Sequence, residues 1–306
     1  MEILSTIIPI FIIVILGWVA RKKGFIPEAF LGPANRLVYY LAIPAMIFRA
    51  ISKSSLGTQF QGAVLLITLF SAAMAYFLAF LICRFRHLPN SRRGTFIQSA
   101  GHGNLGYIGL AVAFYFLGDS GLVRAGIIAG FLMILQNLLS VIALQAYASE
   151  KDDAFNKTAV IKKIFANPVI LSALAGIGSS ALQIPIPVII LRSLDILSGL
   201  ALPTALLLIG ASISLHLMRS YWRVVTGAIF IKLFILPGIG FLLFNLLSVD
   251  AVDYLPGLIL LAAPTATIAY VMGREMQGDT DFAVAAISAS TLLSALSISI
   301  WLSLAG

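Results

Sequence analysis

Apolar residues run along this chain in long blocks, separated by short polar stretches that carry most of the charge. A helix needs about 20 mainly apolar residues to cross the hydrocarbon core of a bilayer. The pattern predicts ten such helices: Ile3–Ala20, Leu31–Ile51, Gly62–Cys83, Gly94–Phe116, Gly121–Tyr147, Phe165–Leu182, Val188–Ser212, Trp222–Leu247, Leu255–Met276 and Phe282–Leu304. The sixth and ninth are short or interrupted by Pro and Gly. The first lacks a basic stretch before it and a small-residue cleavage site after it, so it counts as a span rather than a signal peptide.

Basic residues test this count. The loops between spans 1–2, 3–4, 5–6, 7–8 and 9–10, with their helix ends, hold fifteen: Arg21, Lys22, Lys23, Arg36, Arg84, Arg86, Arg92, Arg93, Lys151, Lys157, Lys162, Lys163, Arg219, Arg223 and Arg274. The opposite side holds four, Arg49, Lys53, Arg124 and Arg192. Lys232 lies inside the eighth span. Cytoplasmic loops collect Lys and Arg, so both termini are expected on the non-cytoplasmic side of an inner membrane. An odd number of spans would spoil the alternation.

Composition agrees, with 60% hydrophobic and 10% charged residues; a soluble domain carries about 25% charged residues because its surface must face water. The net charge of +8 does not mark a nucleic-acid binder, since the basic residues cluster at the ends of apolar runs. The single Cys83 excludes an internal disulfide and a multi-cysteine metal site. No cofactor or metal is expected, and no catalytic residues are assigned.

The two halves echo each other. Leu41-Ala42-Ile43-Pro44 returns as Leu200-Ala201-Leu202-Pro203, 159 residues on. Ala100 through Tyr107 (AGHGNLGY) returns as Ala263 through Tyr270 (APTATIAY), 163 on. Leu117-Gly118-Asp119-Ser120 returns as Gln277-Gly278-Asp279-Thr280, 160 on. Five spans per copy is odd, so the second copy inserts upside down. Such inverted repeats place a substrate site near the midplane at the repeat interface. Residues 1–147 and 165–306 are the expected copies, and 148–164 the cytoplasmic linker.

Two spans carry helix breakers at matched positions. The fourth has Gly101-His102-Gly103-Asn104-Leu105-Gly106, where each Gly disfavours helix by about 1 kcal/mol relative to Ala. The ninth has Pro264, which removes a backbone donor and clashes with the preceding turn, followed by Thr265, Ala266 and Thr267. A single such helix reads as a packing kink, whereas a matched pair reads as a cavity-lining break. Half-helix N-termini at the membrane centre favour a carboxylate, and Asn104, Thr265 and Thr267 are residue types that cap such ends. The C-terminal ends offer carbonyls for a cation or a substrate hydroxyl.

All twelve acids sit in loops or near helix ends, which disfavours a cation–proton antiporter with a midplane carboxylate. Lys232 has two readings, pairing with backbone carbonyls or tuning charge. His102 can hydrogen-bond or take part in proton coupling. Tyr107 and Tyr270 stand at matched positions as aromatic walls or packing. Gln136 and Asn137 are weak candidates, expected to bond between helices away from the break.

Gly103-Asn104-Leu105-Gly106-Tyr107-Ile108-Gly109-Leu110, Lys232 with Pro237, and Ala263-Pro264-Thr265-Ala266 resemble the auxin efflux carrier family, whose bacterial members are often labelled malate or malonate permeases. The resemblance covers essentially the whole chain, and Gly-Asn-x-Gly-Tyr is its most specific element. It implies the fold of sodium–bile acid symporters: an all-α polytopic membrane protein of ten transmembrane helices, two inverted five-helix repeats, and interrupted helices four and nine that cross. It implies a scaffold of helices 1, 2, 6 and 7 beside a mobile transport unit of helices 3–5 and 8–10. Pro44 and Pro203 would then shape the scaffold face. Family substrates are organic anions, an auxin-like monocarboxylate or a small dicarboxylate. The short linker departs from the plant carriers, as does a third span with no acid or Lys, so that the Asp–Lys pair suggested there for plant members is absent. The expectation is therefore a secondary transporter of a small carboxylate working in the bilayer by elevator-type alternating access. Its rivals are a sodium-coupled symporter on the same fold and a membrane-embedded sensor or enzyme. Homodimerisation is left open.

Overall fold

A computed structural model describes residues 2–54, 59, 61–85, 88–148 and 167–306. In a bilayer the backbone must satisfy its own polar groups, and helices do so within one segment. The elements in order are α1 (Glu2–Lys22), α2 (residues 28–52), α3 (Gly62–Phe85), α4 (Asn90–Gly101), α5 (Leu105–Ala146) and α6 (Pro168–Ala181). They continue with α7 (Val188–Ala211), α8 (Leu215–Leu246), α9 (Ala251–Ala262), α10 (Ile268–Glu275) and α11 (Thr280–Ala305). Among the described residues α1, α3, α5, α7, α8 and α11 are long and apolar enough to cross a membrane, with α6 and α9 as shorter apolar helices. Large apolar side chains such as Ile189, 80% exposed, and Ile196, 74% exposed, cover the outer surface of α7. Water would penalise that surface and lipid does not. The chain is an all-helical, multi-pass membrane protein.

Two prolines leave the same mark. α2 widens into a π turn at Val38–Ala42, just ahead of Pro44, and α8 does so at Ile231–Ile235, just ahead of Pro237. A proline ring clashes with the carbonyl four residues back, and widening the preceding turn relieves that clash. The second of these turns holds Lys232.

Packing is densest within two groups of helices, with α5 also touching α1, α2 and α6, and α1 touching α11. α1 lies along α7, and α2 lies against α6 and α7. Elsewhere α8 packs on α11 and α3, α4 on α3 and α5, and α9 on α5. Within the second group Arg92 pairs with Asp279 at 3.0 Å and Arg124 with Asp253 at 2.9 Å. These pairs tie the starts of α4 and α9 to α11 and α5.

Several boundaries differ from the sequence expectation. The predicted fourth span is divided between α4 and the start of α5. The second part runs into the predicted fifth span through one kink at Gly118, whose φ of 70° favours glycine. The helix of the predicted eighth span, α8, begins at Leu215, not Trp222, because the Ser214 hydroxyl caps it by accepting from the Leu217 N–H at 3.3 Å. Hydropathy alone does not register such a polar helix start. Of the expected linker, only residue 148 lies within the described residues.

Candidate functional site

Four helix ends meet where α4 gives way to α5 and α9 to α10. The connecting segments pair antiparallel through an isolated bridge between Gly103 and Thr265. The Asn104 N–H donates to the Pro264 carbonyl at 2.7 Å, and the Ala266 N–H to the His102 carbonyl at 2.9 Å. Gly101, Gly103 and Pro264 thus do what their residue types predict, halting the helices at matched places. The approach is close: a Cβ on Gly101 would lie 2.2 Å from the Tyr76 ring, and one on Gly103 3.2 Å from Lys232 Nζ.

A helix leaves its last four carbonyls without intrahelical partners. At the end of α4 protein donors take three of them. The Gln98 carbonyl accepts from His102 N–H at 2.8 Å, Ser99 from Thr265 Oγ1 at 2.9 Å, and Gly101 from Gln136 Nε2 at 3.3 Å. At the end of α9, Lys232 Nζ donates to the Leu261 carbonyl at 2.8 Å. The expectation that free carbonyls wait there for a cation or a substrate hydroxyl is therefore not met at these positions.

The N-terminal end of α5 is built differently. Asn104 turns the chain with φ −77° and ψ 70°, and its Oδ1 accepts from the Tyr107 N–H at 3.2 Å. This is the cap predicted for it. Its Nδ2 has no hydrogen-bond partner among the described residues, although Asn104 is only 5% exposed. A buried donor left so costs about 1–3 kcal/mol, so the position favours an acceptor. Leu105 and Gly106 are buried in the π turn that opens α5, and a Cβ on Gly106 would face Ile43 of α2 and Met133 of α5. The Tyr107 hydroxyl donates to Asn35 Oδ1 of α2 at 3.0 Å. The π turn thus lies between the two packing groups.

α10 is poorer in such features. Thr267 starts it without a side-chain cap, and Thr265 turns its hydroxyl to Ser99 instead. The capping role expected of these threonines is not formed, because the open carbonyl of Ser99 lies within reach of Thr265. Ala266 is buried, but Tyr270 is 38% exposed, unlike its counterpart Tyr107 at 7%.

Gln136 requires a correction. It does not lie away from the break: its Oε1 accepts from the Gly103 N–H at 3.2 Å while its Nε2 binds Gly101. Projecting from α5, one amide thereby clamps both sides of the interruption, while Asn137 beside it is half-buried. His102 Nδ1 shares a hydrogen bond with Ser140 Oγ at 2.9 Å, and Ser140 with the Tyr76 hydroxyl at 2.7 Å. Across the bridge, Ser290 Oγ of α11 accepts from the Thr265 N–H at 3.1 Å. Tyr76, Ser140 and Ser290 were not singled out in the sequence. Gln136 and Ser140, four apart on one helix face, were the one available signal, and serines are too common in such helices to isolate the rest.

Residues 2–302 match the family model described as membrane transport protein. The "Putative malonate transporter" of Rhizobium meliloti is 26% identical over 304 residues, covering 97% of this chain and 94% of that protein. An uncharacterized transporter of Methanocaldococcus jannaschii is 24% identical, with 97% of each chain covered. Another, from Methanothermobacter thermautotrophicus, is 23% identical over 97% of this chain and 96% of its own.

Proposed function

The chain belongs to the membrane transport protein family, the group that includes the auxin efflux carriers, and from that premise we propose that it carries a small organic anion bound at the crossing. The observation that carries this reading is the unpartnered Asn104 Nδ2, buried beside the N-terminal end of α5. A carboxylate there would accept from the amide and complement the partial positive charge of the helix end. Thr265, Ala266, Thr267 and Tyr270 would border the site from the other segment, with Gly103, Leu105, Gly106 and Tyr107 on this one. The malonate named for the Rhizobium relative makes a small dicarboxylate a first candidate.

On this reading the chain has ten spans in two inverted five-helix repeats, with the fourth span divided between α4 and α5 and the ninth between α9 and α10. α1, α2, α6 and α7 act as a scaffold, and the other group is a unit that moves past it, elevator-fashion, carrying the crossing. The Tyr107–Asn35 hydrogen bond spans the two groups, so it breaks when the unit moves. Sodium coupling fits less well, because the Lys232 ammonium already stands at the α9 carbonyl end. Both termini lie outside the cytoplasm of an inner membrane, and a reporter fused after Gly306 is active only if it works there.

The direct test is uptake of labelled malonate into proteoliposomes. Asn104→Leu removes the hydrogen bond to the anion, at about 1.5–3 kcal/mol or roughly ten- to a hundredfold in affinity. Asn104→Asp is at least as damaging, since a fixed negative charge repels the substrate. Normal uptake by both folded variants would make the break structural and end the anion-site reading.

A further inference from the structure

Lys232 deepens the carboxylate reading just given and depends on it. The π turn of α8 directs this side chain inward until it is fully buried. Its ammonium binds the Leu261 carbonyl of α9 and lies against Gly103, so it touches both interrupted helices one residue from Asn104. Among the described residues the ion pairs are Arg21–Glu28, Arg49–Asp195, Lys53–Asp195, Arg92–Asp279 and Arg124–Asp253, and none includes Lys232. α3, which packs against this turn, has no acid in its sequence. A buried ion answered by one carbonyl is unfavourable, and an anion beside it relieves that cost.

We infer that Lys232 is the counter-charge of the carried anion, and that the crossing therefore selects a singly charged carboxylate. A monocarboxylate, or a dicarboxylate that keeps one proton, leaves the loaded site neutral. A dianion would leave one negative charge in a low-dielectric interior, where no second buried Lys or Arg stands among the described residues to answer it. The titratable group beside Lys232 is His102, at the end of α4, which bonds through Ser140 to Tyr76 of α3. α11 contributes none beyond Asp281 at its start, and α9 only Asp253 and Tyr254 at its far end.

Proteoliposomes holding the full chain would be assayed with malonate and with its monomethyl ester, near pH 5 and near pH 8. The ester keeps one charge throughout, so its own pH response reads the protein, His102 included. Malonate gains a proton toward pH 5. Relative to the ester, malonate should compete at least tenfold better near pH 5 than near pH 8. Malonate that matches or exceeds the ester near pH 8 would overturn the single-charge inference while leaving the carboxylate carrier intact. If neither is bound or carried at either pH, the carboxylate reading itself fails. In folded Lys232→Met protein, affinity for the ester should fall at least tenfold, and unchanged affinity would remove Lys232 as counter-charge. Should that variant not fold, the malonate–ester comparison still decides the single-charge inference.

Discussion

The two interruptions share one β-bridge, yet they are made of different chemistry. The first is glycine-rich and held by side chains of α5: Gln136 clamps Gly101 and Gly103, and Ser140 links His102 to Tyr76. The second is made by Pro264 and held by hydroxyls and Lys232, with Ser290 on the Thr265 N–H, Thr265 on Ser99 and Lys232 on Leu261. Their downstream helices differ more. α5 opens on a capped, buried turn with a spare amide donor, whereas α10 opens on an uncapped Thr267 and shows Tyr270 at the surface. The sequence echo thus preserves where the backbone breaks and not what the break offers a ligand. The spare buried donor, Asn104 Nδ2, lies on the first interruption. The bridge needs only backbone groups, which both supply.

The comparison breaks most sharply at the clamps. Gln136→Leu strands the Gly103 N–H and the Gly101 carbonyl, two buried groups at about 1–3 kcal/mol each. Ser290→Ala strands only the Thr265 N–H, at about 1–3 kcal/mol. In detergent-solubilised protein the first variant should melt well below the second and lose more uptake. Equal losses would mean that the two breaks are energetically alike.

A smaller effect is expected at the matched tyrosines. Tyr107→Phe deletes the hydrogen bond to Asn35, worth about 0.5–1.5 kcal/mol. Because that bond joins the two packing groups, its loss should shift the balance of inward- and outward-facing states several-fold, read by side-specific labelling of a cysteine placed at Thr267 after Cys83 is replaced. Tyr270→Phe, at an exposed position, should change stability by less than about 0.5 kcal/mol and leave the labelling unchanged. Identical labelling in the two variants would remove Tyr107 from the moving interface.

The apolar blocks and the places of the breaks are local properties, set by runs of side chains and by the backbone limits of Gly and Pro. They were legible for that reason, as was the Asn104 cap, which bonds three residues along its own chain. Helix starts that rely on a polar cap, as at Ser214, and the continuation of α5 through Gly118 were not, because hydropathy does not distinguish a polar loop from a polar helical turn.

By itself, then, the sequence determined that this protein lives in a membrane, where its helices are interrupted, and which residue caps the first restart. Only the tertiary structure decided which group answers each exposed helix end. Gln136 reaches Gly103 across 33 positions, Lys232 reaches Leu261 across 29, and Thr265 reaches Ser99 across 166. A hydrogen bond forms where two groups come within about 3 Å, and that distance depends on how the helices pack. The same dependence explains Tyr107 and Tyr270: matched in the sequence echo, they differ because α2 stands beside the first and supplies Asn35 to its hydroxyl.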